Sequence, residues 1–234
     1  MNDRCEERQM TQSKKRLQMA FMVNVLVAAM EIVAVVKGLL TEWKTLQEVF
    51  NFYTHDSNFL ALVACTVMAV DQSMRLLGEK KEPSRLAMRL KTMATGALTL
   101  TFLVVLFVLW PMNGLESGNF WFLDSLNIYH HTLCPLLCIC SFIFLEDYTS
   151  FGKREALDTM LITLVYGIIM VVLILTGTVA EAPYPFLQVN KQSVGMSILW
   201  FVVLMGGSYL ISLGLIALNH RAQQGSKSTA AKKK

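Results

Sequence analysis

The sequence predicts an all-α membrane protein, a bundle of six transmembrane helices with both termini in the cytoplasm. Hydrophobic residues make up 54% of its 234 residues and charged residues only 16%, whereas a soluble domain carries about 25% charged residues. The apolar residues come in blocks of about 20, the number that crosses roughly 30 Å of hydrocarbon as a helix. Backbone polar groups in lipid must be satisfied within the segment, so each block is predicted to be a helix.

Six apolar segments, separated by short polar linkers, form one predicted domain over residues 1–222. In chain order they are 17–40, 54–76, 92–111, 123–145, 157–179 and 194–218. A charged, mostly polar stretch precedes the first segment, so no cleavable signal peptide is predicted. Pro111 ends the third segment and Asn113-Gly114 makes a turn after it. After the sixth, residues 223–234 are predicted to form a disordered basic tail that contacts anionic lipid.

Lysine and arginine residues alternate between rich and poor connections, which predicts the orientation. The rich connections carry Arg4, Arg8, Lys14, Lys15 and Arg16 at the N-terminus, Arg75, Lys80, Lys81, Arg85, Arg89 and Lys91 in the second loop, Lys153 and Arg154 in the fourth, and Arg221 and Lys227 near the C-terminus. The first loop has Lys37 and Lys44, the third has none and the fifth has Lys191. Cytoplasmic loops carry the excess of positive charge, so both termini are predicted to be cytoplasmic. Because these cations lie near segment ends, the net charge of +4 does not indicate nucleic-acid binding.

Polar residues within the apolar segments are the main functional signal. At a rise of about 1.5 Å per residue, Glu31 lies about 22 Å, Thr54 about 25 Å and His131 about 22 Å from the inner boundary. Ionisable groups at membrane depth usually face a protein interior and mark a site. Residues three, four and seven apart share a helix face, so Asp124 and Asn127 are predicted to stack with His131. The sequence thus predicts one pocket near the outer side of the membrane.

Thr54 and His131 are the candidate catalytic residues. A hydroxyl is a weak nucleophile and needs a neighbouring base, and histidine suits this role because its unperturbed pKa lies near neutrality. Asp124 or Asn127 would orient the imidazole as a third member, and Asn58 or Asn127 would donate a hydrogen bond to an oxyanion. The alternative is a threonine bonded to its own backbone and a histidine that hydrogen-bonds across helices, as is common in membrane bundles.

Supporting and alternative roles fall on neighbouring residues. Glu31 is interpreted either as a proton carrier or as an acid that pairs across the bundle, and Asp56 and His130 are further candidates for the pocket. His131, Cys134 and Cys138 share a face and have the ligand types that zinc prefers, but no further cysteine pair supports a metal site. No metal and no cofactor are predicted.

Three motifs together resemble a known family. They are the segments Phe52–Asn58, with the sequence Phe-Tyr-Thr-His-Asp-Ser-Asn, and Leu126–Thr132, with Leu-Asn-Ile-Tyr-His-His-Thr before Pro135, and then Tyr184–Leu187, with Tyr-Pro-Phe-Leu. Their order and the six-span layout resemble the androgen-induced family of small membrane hydrolases and its six-helix bacterial relatives. This resemblance implies hydrolysis of fatty-acid esters of hydroxy fatty acids by an intramembrane threonine and histidine. By motif these are Thr54 and His131. The Thr-x-x-Ser-Asn style after Thr54 is closer to the bacterial relatives, and His130 beside His131 departs from the family pattern.

The sequence therefore favours an intramembrane hydrolase of lipid esters whose pocket opens to the outer leaflet, located in the plasma membrane if the protein is bacterial. The expected partner is a lipid or fatty-acyl ester substrate within the membrane. Two other functions stay open. One is a small-solute or proton-coupled transporter with Glu31 as its proton site, although no inverted repeat and no clearly broken helix pair support it. The other is a non-enzymatic lipid-binding membrane protein.

Overall fold

The computed structural model describes the backbone of residues 2–45 and 49–232, and the side chains of residues 13–45 and 49–225. The described backbone is 80% helical and contains no strand. Six of its helices are long and apolar enough to cross a membrane. The predicted all-α membrane fold with six spanning helices is therefore confirmed, and the orientation of the termini stays a prediction.

We number the six long helices α1 to α6 in chain order. They are α1 (Asn2–Lys37, continued by a π-helical turn at Gly38–Glu42), α2 (Tyr53–Leu76), α3 (Arg85–Val104, continued by a π-helical turn at Val105–Leu109 and by Trp110–Met112), α4 (Ile128–Leu133, Cys134–Cys140 and Ser141–Leu145, the first and last of them π-helical), α5 (Lys153–Leu175) and α6 (Val194–Lys232). Shorter helical turns lie in the connections at Leu115–Ser117, Gly118–Phe122 and Pro185–Leu187. The backbone of α6 is helical to Lys232, and its side chains are described to Gly225. The disordered tail expected over 223–234 stays a prediction.

The start of α4 differs from the sequence-based prediction. The helix begins at Ile128 rather than at 123, because the chain before it passes through a turn in which Ser125 has a positive φ of 45°. Asp124 lies in that turn and Asn127 immediately precedes α4. The predicted stacking of Asp124 with His131 on one helix face is therefore wrong.

Helix α3 lies at the centre of the bundle, where it contacts α2, α4, α5 and α6. Its apolar stretch is 61% buried, compared with 22% for α5 and 28% for α6. Small residues let helices approach closely in membranes, and α3 buries Ala94 and Gly96. A Cβ atom added at Gly96 would lie 2.8 Å from Thr159, whose hydroxyl accepts a hydrogen bond from Ser212 at 2.7 Å. Gly96 thus fixes the close crossing of α3 with α5 and α6.

A buried polar network closes one end of the bundle, which we call the Glu146 end. The Glu146 carboxylate accepts hydrogen bonds from Asn24 Nδ2 at 2.8 Å and from Tyr148 Oη at 2.5 Å. Asn219 Nδ2 donates to the carbonyl oxygens of Phe142 at 2.7 Å and Glu146 at 2.8 Å. The last carbonyl groups of a helix have no partner within it, so Asn219 of α6 satisfies the end of α4.

Lys91 lies inside the bundle rather than in a loop. The sequence-based argument for orientation counts it among the cations of the second loop, but its side chain is completely buried. Its Nζ donates to Asn24 Oδ1 at 2.7 Å and lies 3.1 Å from Cys65 Sγ and 3.5 Å from Cys138 Sγ. Lys91 therefore joins α1, α2 and α4 and does not contribute to the charge of that loop.

Candidate active site

Thr54 lies at the start of α2, where the chain changes from extended to helical. Phe52 has φ −107° and ψ 122°, and the first backbone N–H groups after such a transition have no partner within the helix. The N–H of Thr54 donates a hydrogen bond to Tyr184 Oη at 3.3 Å, and Thr54 Oγ1 lies 3.3 Å from the same oxygen. The phenol of Tyr184 therefore contacts both the backbone and the hydroxyl of Thr54, which is only 8% exposed.

Tyr184 reaches the site from the connection between α5 and α6. Its ring stacks on Phe186 with centroids 5.0 Å apart and contacts Phe52 edge-on at 6.0 Å, so aromatic packing fixes its position. Burial raises the pKa of Tyr184 to about 12, and the phenol is therefore neutral at pH 7 and can donate its proton in a hydrogen bond. The sequence places Tyr184 within one of the three motifs but assigns it no role at the site.

His131 lies in the π-helical first turn of α4, a distortion that is frequent at functional sites. Its Nδ1 lies 3.0 Å from the carbonyl oxygen of Trp121. Because a carbonyl oxygen can only accept, Nδ1 must carry the hydrogen of this bond. In the neutral ring Nε2 is then the nitrogen that can accept a proton. The contact with Trp121 therefore selects the tautomer that a general base requires.

The residues expected to orient the imidazole make other contacts. Asp124 is exposed, and its backbone carbonyl accepts a hydrogen bond from the Asn127 N–H at 2.9 Å. Asn127 Nδ2 donates to the carbonyl oxygen of Phe120 at 2.8 Å. The carbonyl of Trp121 occupies the position at Nδ1 instead, so the expectation that Asp124 or Asn127 orients His131 is wrong. Both residues act by shaping the turn that brings Trp121 to the ring.

Thr54 and His131 line the same cavity, which has a volume of about 570 Å³. Ligand sites in proteins are commonly about 300–1,000 Å³, so the cavity is large enough for part of a lipid. Its wall includes polar groups of His55, Asn113, Asn127, Tyr184 and Gln188 and apolar groups of Phe52, Leu109, Phe120, Trp121, Ala182, Pro183 and Pro185. The indole N–H of Trp121 is buried without a hydrogen-bond partner. We call this space the Thr54 cavity.

A second polar layer lies beside the Thr54 cavity. His130 Nε2 is 3.6 Å from Glu31 Oε2, and the two side chains are 3% and 1% exposed. The other carboxyl oxygen of Glu31 is buried without a hydrogen-bond partner. The ring of His130 contacts that of His55, which lines the cavity, with centroids 5.5 Å apart. Glu31 and His130 therefore do not line the cavity; the ring of His55 lies between His130 and the cavity.

Asn58 and Asp56, the remaining predicted residues, do not line the cavity either. Asn58 Nδ2 donates to the carbonyl oxygens of Thr54 at 2.7 Å and His130 at 3.4 Å. This amide joins α2 to α4 and is not free to donate to a reacting oxygen, so the suggestion that Asn58 binds an oxyanion is not favoured. Asp56 is half-buried in the first turn of α2, where a carboxylate interacts favourably with the helix dipole.

No group of three histidine, cysteine, aspartate or glutamate side chains in the described part of the chain could hold a metal ion. The ligands of the zinc alternative face different partners. Cys138 Sγ lies 3.8 Å from Cys65 Sγ, while His131 contacts Trp121.

The three motifs of the sequence analysis meet at the Thr54 cavity. The first contributes Thr54 and His55 to its wall, the second contributes Asn127 and His131, and the third contributes Tyr184. Sequence distance hides this arrangement, because the motifs belong to α2, α4 and the connection after α5. The comparisons with known proteins add no relative: no protein-family model, no curated protein and no solved structure matches this chain.

Proposed function

We propose that this protein is an intramembrane hydrolase of lipid esters, with Thr54 as nucleophile and His131 as general base. The observation that carries the proposal is that both residues line one cavity while the Trp121 carbonyl leaves His131 Nε2 able to accept a proton. A weak hydroxyl nucleophile needs such a base close by. The resemblance to the androgen-induced hydrolases selects the same two residues, which supports the proposal independently of geometry.

The proposed reaction has two steps. His131 Nε2 takes the proton of Thr54 Oγ1 as this oxygen attacks the ester carbonyl, and the alcohol then leaves with that proton. The resulting acyl-threonine ester is attacked by water, with His131 again as the base, and the fatty acid leaves as Thr54 recovers its proton. Donors aimed at the developing oxyanion contribute about 3–4 kcal/mol in well-studied enzymes. Tyr184, which lines the cavity, is our candidate for such a donor.

The other predicted residues hold this arrangement in place. Asn58 connects the backbone of Thr54 to that of His130. Glu31 contacts His130, whose ring packs against the ring of His55 in the cavity wall. Reacting groups must be held within about 0.5 Å of the productive geometry by supporting side chains and hydrogen bonds. We assign Asn58, His130 and Glu31 as positioning residues.

The orientation is part of the proposal. With both termini in the cytoplasm, as the distribution of lysine and arginine favours, the Thr54 cavity opens toward the outer leaflet of the membrane, the plasma membrane if the protein is bacterial. Reporter fusions at each terminus measure this directly: activity of a cytoplasmic reporter at both ends is expected, and activity of an external reporter at either end would contradict the orientation.

Labelling by an acyl-reactive fluorophosphonate tests the catalytic pair. Thr54→Ala and His131→Ala are each expected to abolish labelling, and Thr54→Ser is expected to keep it because serine supplies a hydroxyl. Thr66→Ala is the matched control, since its exposed hydroxyl bonds only the Leu62 carbonyl, at 2.7 Å. Mass spectrometry should locate the adduct on Thr54. Undiminished labelling of both alanine variants would remove the proposal.

A proton-coupled transporter is the second candidate function, and Glu31 is the observation that favours it. One of its carboxyl oxygens is buried without a hydrogen-bond partner, and carboxyl groups within spans often serve proton transfer. Liposomes that contain the pure protein would then take up a solute with protons, and Glu31→Gln would stop the uptake. Ester turnover that persists in Glu31→Gln, without any uptake, would favour the hydrolase.

A further inference from the structure

A narrow apolar cavity, which we call the throat, adjoins the Thr54 cavity inside the bundle. It has a volume of about 60 Å³ and shares Thr54, Leu109 and Tyr184 with the much larger cavity. The remaining wall comes mainly from aliphatic and aromatic residues of α3, α5 and α6. The nucleophile therefore stands at the boundary between a polar cavity and an apolar passage.

The tyrosine hydroxyls of the throat have partners in the protein. Tyr53 Oη lies 3.0 Å from Thr163 Oγ1, and Tyr166 Oη donates to the carbonyl oxygen of Asn51 at 2.8 Å. The rings of Tyr53 and Tyr166 meet edge to face with centroids 5.1 Å apart. These tyrosines consequently present ring surface to the passage, which suits a hydrocarbon chain better than a hydrated solute.

On its other side the throat adjoins a groove of about 490 Å³ between α5 and α6. Throat and groove share Thr163, Gly167, Phe186, Leu187 and Leu204. On the far side of the groove Ile168 is 55% exposed and Phe201 is 54% exposed. In a bundle surrounded by lipid, side chains exposed on α5 and α6 face acyl chains, so the groove opens sideways into the bilayer.

We infer that the throat and the groove bind the acyl chain of the substrate ester, which enters sideways between α5 and α6, and that Gly167 determines which chains pass. The placement of the ester group at Thr54 rests on the proposed function. The binding of a single unbranched chain rests only on the shape and apolar walls of the passage. Because the throat has about 60 Å³ and the Thr54 cavity about 570 Å³, we place the alcohol half of the ester in the Thr54 cavity.

Gly167 is the residue that keeps the passage open. It lines both the throat and the groove, and a Cβ atom added there meets no other atom within 4 Å. Glycine within a helix costs about 1 kcal/mol relative to alanine, and close helix packing does not explain it here as it does at Gly96. A larger side chain at 167 therefore has space beside the throat and the groove without displacing its neighbours.

Gly167→Leu is therefore expected to close the passage. With p-nitrophenyl esters, the ratio of kcat/KM for a 16-carbon acyl chain to that for a 4-carbon chain should fall about tenfold or more, because a filled pocket discriminates strongly by size. Gly167→Ala should shift the ratio in the same direction but less. Gly206→Leu is the matched control: Gly206 lies on α6, also has open space at its Cβ, and lines neither throat nor groove. Its ratio should equal that of the native protein.

Chain binding without chemistry separates the two proposals. In protein that carries Thr54→Ala, quenching of tryptophan fluorescence by dibromostearate reports a chain near Trp200, which lines the groove. Gly167→Leu should weaken this binding about tenfold or more, and Gly206→Leu should not change it. Weakened binding without any ester turnover in the native protein would sustain the passage and remove the hydrolase. Equal binding by Gly167→Leu, Gly167→Ala and Gly206→Leu would overturn the inference.

Discussion

The Tyr184→Phe substitution removes one oxygen atom and keeps the aromatic ring that packs on Phe186. Two contacts disappear with the hydroxyl, one to the backbone N–H of Thr54 and one to Thr54 Oγ1, both at 3.3 Å. A buried donor left without a partner costs about 1–3 kcal/mol, and because both contacts are at the long end of the hydrogen-bond range we expect the lower part, about 1–1.5 kcal/mol. If this loss falls on the transition state, the rate falls about tenfold, since 1.36 kcal/mol corresponds to a factor of ten.

The assay is the rate of fluorophosphonate labelling, measured together with thermal unfolding in detergent. Tyr148→Phe is the matched control, because its hydroxyl donates to Glu146 Oε2 at 2.5 Å at the opposite end of the bundle. That variant should lose stability but keep the native labelling rate. Tyr184→Phe should label about tenfold more slowly, with the same pH dependence between pH 6 and 9, because the pKa of Tyr184 is about 12. Native labelling and native stability of Tyr184→Phe would refute the reasoning.

Other predictions concern stability and packing. The pKa of Tyr184 is about 12 in the folded protein and about 10 in the unfolded chain. The stabilisation that Tyr184 contributes is therefore fully present below pH 10 and is lost as the pH rises through 12. Unfolding temperatures of the native protein should fall more steeply over that range than those of Tyr184→Phe. Gly96→Ala places a methyl group 2.8 Å from Thr159 and should cost about 1–3 kcal/mol, whereas Gly206→Ala, which meets open space, should not lower the unfolding temperature. Asn219→Ala leaves the Phe142 carbonyl without its side-chain donor and the Tyr148 N–H without its acceptor, and should destabilise the protein by about 2–4 kcal/mol, measured by thermal unfolding, without changing which residue is labelled.

The six helices could be predicted from sequence because a lipid bilayer requires a spanning segment to satisfy its own backbone hydrogen bonds. A bilayer permits few ways to satisfy a buried backbone, so length and apolar composition almost determine the fold. The helical rise also placed Thr54 and His131 at similar depth, and the structure brings them to one cavity. The depth of a residue along a helix follows from its position in the sequence and the helical rise, so it can be calculated without a structure.

The partners of these two residues could not be predicted, because they depend on chain turns outside the helices. The carbonyl of Trp121 reaches His131 only because the chain turns at Ser125. Every residue has a backbone carbonyl, so the residue types in a sequence do not indicate which carbonyl will accept this hydrogen bond. Tyr184 approaches Thr54 across 130 residues from a connection between helices. Lys91 was misplaced for a related reason: charge alone does not tell whether a lysine faces the headgroups or three buried partners within the bundle.

The position of Tyr184 along the chain has a consequence for biosynthesis. A ribosome adds the connection between α5 and α6 only after five of the six long helices have been made. Until then the nascent protein holds Thr54 without the phenol that contacts it, and it lacks the wall that α6 supplies to the passage. A translation product that stops before this connection would therefore insert as a helical membrane fragment without Tyr184 in the wall of the Thr54 cavity. The hydrolysis that we propose would then require nearly complete synthesis.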